Sequence, residues 1–425
     1  MLDLRLLRKD PGRVKSALAK RGDRELSPAV DRALALDEER REAIGEADDL
    51  KARRNQVSRT IGELKRKGED AQELIREMRA VGDRIGELDQ VISAREEGIR
   101  EVLLNLPNLP MDRVPAGGED ANQILRSWGE EPTFSFQPRP HWELGEALGI
   151  LDLPRGAKVS GSGFPVLAGP GARLQRGLID YMLDLHTREH DYRELRIPYL
   201  VTAETMTGTG QLPKFADESY LSEKDGLWLI PTAEVPVTNL HRDEILEEEE
   251  LPVRYTAYSP CFRREAGAAG KDTRGLLRVH QFDKVELVRY EKPERSQEAL
   301  EELTGEAERI LKDLGLAYRV VLLAAGDLGF SSAVTYDLEV WAPGVEAWLE
   351  VSSCSVFTDY QARRANLRFR RGPGEKPEFL HTLNGSGLAL PRLMVALLET
   401  HQEEDGSVAL PDVLHDFVGF SRLAP

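Results

Sequence analysis

Hydrophobic residues recur at alternating spacings of four and three along residues 74–102, with one charged exception at Arg95. A poorer series at seven-residue steps precedes it, and Gly68 separates the two. Two heptad helices joined by a short turn form an antiparallel coiled-coil hairpin, which we predict over about residues 28–102. The hydrophobic positions are Leu36, Ala43, Leu50, Val57 and Leu64 in the first helix, and Leu74, Met78, Val81, Ile85, Leu88, Ile92, Ile99 and Val102 in the second.

Helices of about 35 residues reach roughly 50 Å at 1.5 Å per residue, so this arm must project from the main body or lie along it. Residues 106–123 break all periodicity with proline and glycine and predict a linker. The pattern therefore predicts an N-terminal domain over residues 1–105 and a second domain over residues 124–425.

The second domain contains both helical and strand patterns of hydrophobic residues. Helical patterns occur near residues 172–190 and 294–314. Strand patterns occur near residues 196–201, 226–230, 253–263, 278–290, 317–323, 335–341 and 347–353. Because hairpin-like connections dominate, we predict an α+β protein with a mainly antiparallel sheet flanked by helices.

Composition narrows the class of protein. The 425 residues carry a formal charge of −17, which argues against a chain that coats nucleic acid non-specifically. The first residues are too charged for a signal-peptide core, and no apolar run reaches membrane-spanning length. The two cysteines, Cys261 and Cys354, form neither a disulfide framework nor a zinc-ligand spacing. We expect a cytoplasmic protein without membrane association or zinc, with both cysteines in the core.

The end of the first arm helix is basic in an otherwise acidic chain. Residues 51–67 contain seven basic residues and one acidic residue, a local charge of +6. A solvated helix face accounts for this pattern, and so does a contact with a polyanion near the tip of the arm.

The segment FRREAG at residues 262–267 follows a predicted strand and precedes a run of small residues. Alternation along the strand predicts Arg263 and Glu265 on one face and Arg264 on the other. The return strand places three side chains on one face: Phe282, Lys284 and Glu286. A guanidinium, a carboxylate and an aromatic ring together can bind a nucleotide. A hairpin with a charged tip explains the segment equally well.

PTAEVPVTNL, at residues 231–240, puts Thr232 and Glu234 on the same side if the segment is extended. A hydroxyl and a carboxylate so placed can hold an ammonium group, although Thr-x-Glu is a common pattern. The segment TLNGSGLALPR runs from a strand through two glycines into a helix containing Arg392. Such a junction lets an anion come close, and it also serves as a packing turn.

WLEVSSCSVF, at residues 348–357, places Glu350 and Ser352 inside an apolar strand, with Ser353 on the other face. A carboxylate buried in such a strand is costly unless it is paired or bound to a metal. Hard oxygen ligands of this kind suit Mg²⁺ carried by phosphates. A buried salt bridge is the alternative explanation.

Together these segments resemble seryl-tRNA synthetase, a class II aminoacyl-tRNA synthetase, over essentially the whole chain. The resemblance includes the helical arm, VPAGGEDANQ, GTGQLPKF and PTAE. The second and third class II motifs match FRREAGAAGKDTRGLLRVHQFDKVEL and NGSGLALPR, and the degenerate first motif falls in residues 172–190 and the following YRELRIPYLV, with Pro198 as its proline. The resemblance implies a tRNA-binding domain over residues 1–105 and a class II catalytic domain over residues 124–425.

The resemblance also implies roles for individual residues. The catalytic residues would be Arg263, between the serine carboxylate and the α-phosphate, and Arg392, at the γ-phosphate. The serine-binding residues would be Thr232, Ala233, Glu234, Arg263, Glu286, Asn384 and Ser386. The ATP-binding residues would be Arg263, Arg264, Glu265, Val279, Phe282, Glu350, Val351, Ser352, Ser353 and Arg392. Within these sets, Phe282 would stack on adenine, Glu286 and Ser386 would hold the amino and hydroxyl groups of serine, and Glu350 and Ser353 would hold the Mg²⁺ carried by ATP.

By the same resemblance, the chain would activate L-serine with ATP and transfer it to tRNA(Ser), and serylation of tRNA(Sec) is an extension. The arm residues implied in tRNA binding are Arg53, Arg54, Arg59 and Lys65. A homodimer would form through residues 172–201. His280 is assigned a structural role, because adenylate formation needs no side-chain nucleophile.

Two other classes of function compete with this interpretation. A coiled-coil tether explains residues 28–102 but not the polar strands beyond them. Another class II ligase, which charges a different amino acid or a carrier protein, shares the catalytic motifs. The basic arm argues against a carrier-protein substrate, and the lack of a Cys/His ligand pattern argues against zinc-dependent serine recognition.

Overall fold

The computed structural model describes residues 1–266 and 274–425. The tip of the segment that the family resemblance assigns to ATP and the tRNA acceptor end lies outside the described residues. The chain divides into two compact units. One comprises Leu2–Ala19 and Asp23–Pro107, and the other comprises Met1, Lys20–Gly22 and Asn108–Pro425.

The N-terminal unit is a helical hairpin preceded by two short helices. Its elements are α1 (Leu4–Lys9), α2 (Pro11–Ala19), α3 (Leu26–Lys67) and α4 (Gln72–Asn105). Gly68 caps α3 in the left-handed region at φ 76°, a conformation that glycine adopts at little cost. The predicted hairpin and its break at Gly68 are therefore confirmed, and the helices extend slightly beyond residues 28–102.

The seam of this hairpin is narrow. A small apolar cluster joins Ala43 and Ala47 to Leu88, with Leu50 and Ile92 packed against it. The charged exception in the heptad pattern is satisfied across the hairpin, because the Arg95 guanidinium pairs with the Glu39 carboxylate on the facing helix.

Asp37 occupies a buried position on α3, which the sequence pattern did not predict. Its carboxylate pairs with Arg40 at 2.8 Å, Arg41 at 3.1 Å and Arg8 at 3.6 Å. These pairs explain how a charge can be buried there.

The second unit contains the remaining elements. Its helices are α5 (His141–Ala147), α6 (Leu153–Ser160), α7 (Pro170–Arg188), α8 (Ala203–Thr209), α9 (Glu234–Thr238), α10 (Ser296–Asp313), α11 (Tyr360–Ala365), α12 (Leu390–Thr400) and α13 (His415–Val418). Its strands are β1 (Gln123–Trp128), β2 (Leu151–Asp152), β3 (Val166–Leu167), β4 (Arg193–Glu194), β5 (Leu200–Thr202), β6 (Leu221–Ser222), β7 (Leu227–Leu229), β8 (Ile245–Glu247), β9 (Val253–Phe262), β10 (Gln281–Glu291), β11 (Tyr318–Leu322), β12 (Val334–Ala342), β13 (Ala347–Thr358), β14 (Arg368–Arg370), β15 (Glu378–Phe379), β16 (His381–Ala389), β17 (Val408–Ala409) and β18 (Arg422–Leu423).

An eight-stranded sheet forms the centre of this unit, in the order β1-β11-β12-β13-β16-β10-β9-β4. Every neighbouring pair is antiparallel except β4 and β9 at one edge. Helix α10 packs on β13 and β16, and α12 packs on β12 and β13. The predicted α+β architecture with a mainly antiparallel sheet is confirmed.

Both cysteines are buried and free, as predicted for small core residues. Of the helices that the structure describes, none combines the length and apolar character needed to cross a membrane.

Candidate functional site

A cavity of about 540 Å³ opens over the middle of the large sheet, where β10, β13 and β16 meet the segment after β9 and the start of α12. It brings together most of the side chains singled out from the sequence. The residues that line it include Thr232, Glu234, Arg263, Glu265, Val279, Phe282, Glu350, Val351, Ser353, Asn384, Ser386 and Arg392. Four of the predicted site residues do not line it: Ala233, Arg264, Glu286 and Ser352.

The floor of one end is a buried polar cluster around Glu286. The Thr232 hydroxyl donates to Glu286 Oε2 at 3.1 Å, and the Asn384 amide donates to Oε1 at 3.0 Å. The buried Lys284 ammonium pairs with Glu286 Oε2 and donates to Thr232 Oγ1 at 2.9 Å. Glu286 thus lies directly beneath the cavity, within reach of its polar lining.

Glu234 is the second carboxylate at this end. Gln361 donates to Glu234 Oε1 at 2.7 Å, and the Thr382 hydroxyl donates to Gln361 Oε1 at 2.7 Å. Burial, reinforced by the negative charge of Glu286, raises the pKa of the Glu234 carboxyl to about 7.

The local conformation at Thr232 differs from the prediction. Glu234 begins α9, so the segment is not extended. The Glu234 N–H donates to Thr232 Oγ1 at 3.2 Å, which is a helix-start contact. Both side chains still line the cavity, because the turn, rather than strand alternation, directs them there.

Strand β9 ends at Phe262, so Arg263, Arg264 and Glu265 lie beyond it. The prediction that strand alternation sorts these side chains onto two faces was therefore wrong. Arg263 nevertheless lines the cavity, with its guanidinium 5.1 Å from the centre of the Phe282 ring. Arg264 points elsewhere and donates to the Asp217 carbonyl at 3.2 Å. Glu265 accepts from Arg278 at 2.6 Å.

The prediction for β13 needs two corrections. The Glu350 side chain is 48% exposed, so it is not a buried strand carboxylate. The register between β12 and β13 also shifts between Ser352 and Glu350, which leaves Val351 as an extra residue. Such a bulge shifts the alternation of side chains between the two sheet faces by one residue, and Glu350 and Ser353 therefore both line the cavity. Ser352 is buried on the other side and donates to the Ser386 carbonyl at 2.7 Å.

Arg392, in the first turns of α12, closes the opposite end. Its Nε donates to the Leu277 carbonyl at 3.1 Å, and Nη1 lies 3.5 Å from Glu350 Oε2. Gly385 and Gly387, which we predicted at the junction of a strand with a helix, lie within β16 instead.

Three residues of this cluster were not in the predicted site. Lys284 could have been found, since the strand alternation already placed it beside Phe282 and Glu286. Arg278 lies beside Val279 in the segment that resembles the second class II motif, so it could also have been found, whereas Gln361 is joined to the site by tertiary contacts alone.

His280 lies at the start of the return strand. Its Nδ1 is 3.0 Å from the Arg263 carbonyl oxygen, and its ring stacks on Phe164 at 5.3 Å. These contacts bridge the two sides of the hairpin and agree with a structural role.

The basic side chains of the arm differ in their surroundings. Lys51 pairs with Asp89 at 3.1 Å, and Arg53 pairs with Glu77. None of the ion pairs among the described residues involves Arg54, Arg59 or Lys65. These three side chains are exposed along the second half of α3.

Both parts of the chain match known families. Residues 1–110 match the seryl-tRNA synthetase N-terminal domain, and residues 216–401 match the tRNA synthetase class II core domain (G, H, P, S and T).

Curated relatives match over the full length. The serine–tRNA ligase of Gemmatimonas aurantiaca is 56% identical over 100% of both chains. That of Carboxydothermus hydrogenoformans is 53% identical over 100% of this chain and 99% of its own. Among solved structures, the seryl-tRNA synthetase from Pyrococcus horikoshii complexed with ATP is 41% identical, with a TM-score of 0.96 over 100% of both chains. The chain therefore belongs to the seryl-tRNA synthetase family of class II tRNA synthetases.

Proposed function

We propose that the cavity of this serine–tRNA ligase joins L-serine to ATP, forming seryl-adenylate and pyrophosphate, before serine passes to the 3′ end of tRNA(Ser). The observation that carries this proposal is one cavity that has a buried acidic floor at one end and that two arginines, Arg263 and Arg392, also line. The floor suits an amino acid, and the arginines suit a triphosphate.

At the serine end, we assign the amino group to Glu286 and Thr232, with Glu234 beside them. Ser386 receives the serine hydroxyl, Asn384 orients Glu286, and Ala233 contributes the backbone of the turn. Arg263 extends toward the serine carboxylate from the rim of this end.

At the ATP end, Phe282 supplies the stacking face for adenine. The Arg263 guanidinium already lies over the Phe282 ring, so adenine would stack on the ring beside the guanidinium. Glu265 and Val279 complete the adenine surroundings, and Arg264 would contribute only its backbone, because its side chain points away from the cavity. Arg392 takes the γ-phosphate, and Val351 and Ser352 provide backbone support behind the phosphates.

The donor set beside Arg392 fits magnesium. Glu350 offers an exposed carboxylate and Ser353 a hydroxyl, and the bulge at Val351 puts both on the cavity side. These are the hard oxygen ligands that Mg²⁺ prefers. When bound with ATP, Mg²⁺ would neutralise phosphate charge, and Glu350 and Ser353 would orient it.

The reaction needs little covalent chemistry from the protein. The serine carboxylate attacks the α-phosphorus, its new P–O bond forms, and the bond to the β-phosphate oxygen breaks to release pyrophosphate. Arg263 and Arg392 stabilise charge on the reacting phosphates, and the buried floor fixes the orientation of serine.

The tRNA contact is assigned to the arm. Arg53, Arg54, Arg59 and Lys65 would meet the phosphate backbone of a helical limb, since long RNA helices are recognised by shape and backbone. Serylation of tRNA(Sec) is a separate prediction, tested by supplying each tRNA alone. The proposal places this activity in the cytoplasm, where tRNA is charged.

The proposal includes a homodimer through residues 172–201. Helix α7 buries one face in the core, and Leu200, close to Pro198, is 48% exposed. Two-fold dimers are the commonest assembly of soluble chains. Sedimentation at micromolar concentration should give twice the chain mass.

Amino-acid-dependent exchange of labelled pyrophosphate into ATP tests the activation step. We expect exchange with serine and Mg²⁺, and near-background exchange with alanine or without amino acid. Exchange that proceeds equally with another amino acid would overturn the substrate assignment.

A further inference from the structure

We propose that His141 is a positioning residue for the nucleotide end of the cavity, because it fixes residues 274–279, which we call the return segment. The inference rests on the proposed ATP end. His141 itself does not line the cavity, and its effect would pass through one backbone hydrogen bond.

His141 and Glu399 form a fully buried pair between α5 and α12. The ring Nδ1 lies 2.8 Å from Glu399 Oε1, and the other carboxylate oxygen accepts the Gly344 and Val345 N–H groups. With its oxygens serving as acceptors, Glu399 favours the tautomer with a proton on Nδ1.

That tautomer leaves Nε2 as an acceptor, and the Leu276 N–H donates to it at 2.9 Å. The chain of contacts therefore runs from Glu399 through the imidazole to the backbone of the return segment. A buried backbone N–H without its acceptor costs free energy, so this bond holds Leu276 in place.

The return segment fits closely against the ring. Gly275 has a φ of 67°, and a Cβ built there would lie 2.1 Å from His141 Nε2. The Arg274 guanidinium lies 4.4 Å from the centre of the neighbouring Trp142 ring. Residues 141 and 142 thus dock two consecutive positions of the return segment.

The remainder of the return segment forms part of the nucleotide end, since Leu276 through Val279 all line the cavity. The Leu277 carbonyl accepts from Arg392 Nε at 3.1 Å, and Arg278 pairs with Glu265 at 2.6 Å. A shift of Leu276 would therefore displace the groups assigned to ATP, whereas the serine floor comes from β10, β16 and the turn before α9.

Two substitutions distinguish the contribution of the Nε2 hydrogen bond from that of the Nδ1 hydrogen bond. In His141→Gln the side-chain oxygen can replace the Nε2 acceptor, whereas His141→Asn retains only a donor near the Nδ1 position. We expect His141→Asn to raise the KM for ATP on the order of tenfold in pyrophosphate exchange, the size of effect typical of one unsatisfied buried donor. We expect His141→Gln to remain within about threefold of wild type, and the KM for serine to be unchanged in both.

Gly275→Ala provides a second variant with the histidine intact. Its added methyl group should push the return segment from the ring and raise the KM for ATP as His141→Asn does. His401→Asn is the matched control, since His401 Nε2 bonds the Leu314 carbonyl at 2.8 Å at a turn outside the cavity lining. Thermal unfolding of each variant measures the purely structural cost.

Equal effects of Asn and Gln on the KM for ATP, or equal changes in the KM values for ATP and serine, would overturn the role of His141. An unaltered KM for ATP in Gly275→Ala would do the same. Absence of serine-dependent exchange in the wild-type protein would instead overturn the proposed function.

Discussion

Replacing Glu234 with glutamine should separate the stability of this protein from its affinity for serine. The carboxyl is 6% exposed, and burial raises its pKa from an ordinary 4.5 to about 7. Glu234→Gln has nearly the same shape, keeps an oxygen for the Gln361 donor and carries no charge at any pH.

Proton binding determines the direction of the stability change. Between pH 4.5 and 7 the folded protein keeps the proton on Glu234 while the unfolded chain loses it, so stability falls as pH rises through this window. The two pKa values differ by about 2.5, which corresponds to about 3 kcal/mol. Glu234→Gln should remove this loss and stabilise the free protein by up to about 3 kcal/mol at pH 8, with a change below about 1 kcal/mol at pH 5.

Urea unfolding of both proteins at pH 5 and pH 8 measures this difference, and the exposed arm variant Glu63→Gln is the control. A change of equal size at both pH values, or destabilisation at pH 8, would refute the reasoning.

The same substitution should weaken serine binding. An ionised Glu234 is the form that can face a serine ammonium group, so the KM for serine of the wild-type protein should fall as pH rises through about 7. Glu234→Gln should raise that KM on the order of 10²-fold and flatten its pH dependence, as expected when a hydrogen bond between charged groups is lost. A KM within twofold of wild type would show that Glu234 does not contact serine.

Three other predictions address the remaining assignments. Arg263→Ala should slow the chemical step of serine activation by a factor on the order of 10²–10³ in single-turnover measurements, the usual effect of losing one charge stabiliser, and pyrophosphate exchange at the wild-type rate would contradict its role. Alanine should be rejected by roughly 10⁴ in kcat/KM, because its binding leaves the polar groups for the hydroxyl unpaired, and activation within tenfold of serine would contradict that site. Deleting residues 30–100 should preserve pyrophosphate exchange but nearly abolish tRNA serylation, and full serylation by the deleted protein would show that the arm is only structural. Neutralising three arm arginines should reduce the slope of log affinity for tRNA against log salt concentration by roughly 0.7–0.9 per lost phosphate contact. The three arginines are Arg53, Arg54 and Arg59.

Long periodic segments were the most predictable part of the fold. The hairpin over residues 28–102 follows from heptads and Gly68, because both signals are local. The buried Asp37 was missed for the opposite reason: three arginines compensate its charge, and Arg8 comes from a different helix.

At the site, strand alternation correctly grouped Phe282, Lys284 and Glu286, because β10 pairs continuously with β9 along this stretch. The register shift against β16 between Lys284 and Glu286 adds its extra residue to β16 and leaves the alternation of β10 unchanged. Strand alternation failed on β13, because Val351 is an extra residue in the pairing with β12. As a result Ser353, rather than Ser352, lies on the same side as Glu350. A bulge depends on the neighbouring strand, so the sequence of β13 alone does not reveal it.

The charges of the buried floor explain why the ligand is needed to complete the site. Glu234 and Glu286 face one buried lysine, Lys284, so the floor is neutral only while one carboxyl holds a proton. A serine ammonium group would supply the missing positive charge and allow Glu234 to ionise. Every amino acid carries that ammonium group, so it provides affinity without discrimination. Selection of serine must then come from the polar groups that would otherwise remain unpaired, which is why rejection of alanine is the sharper test of the Ser386 assignment.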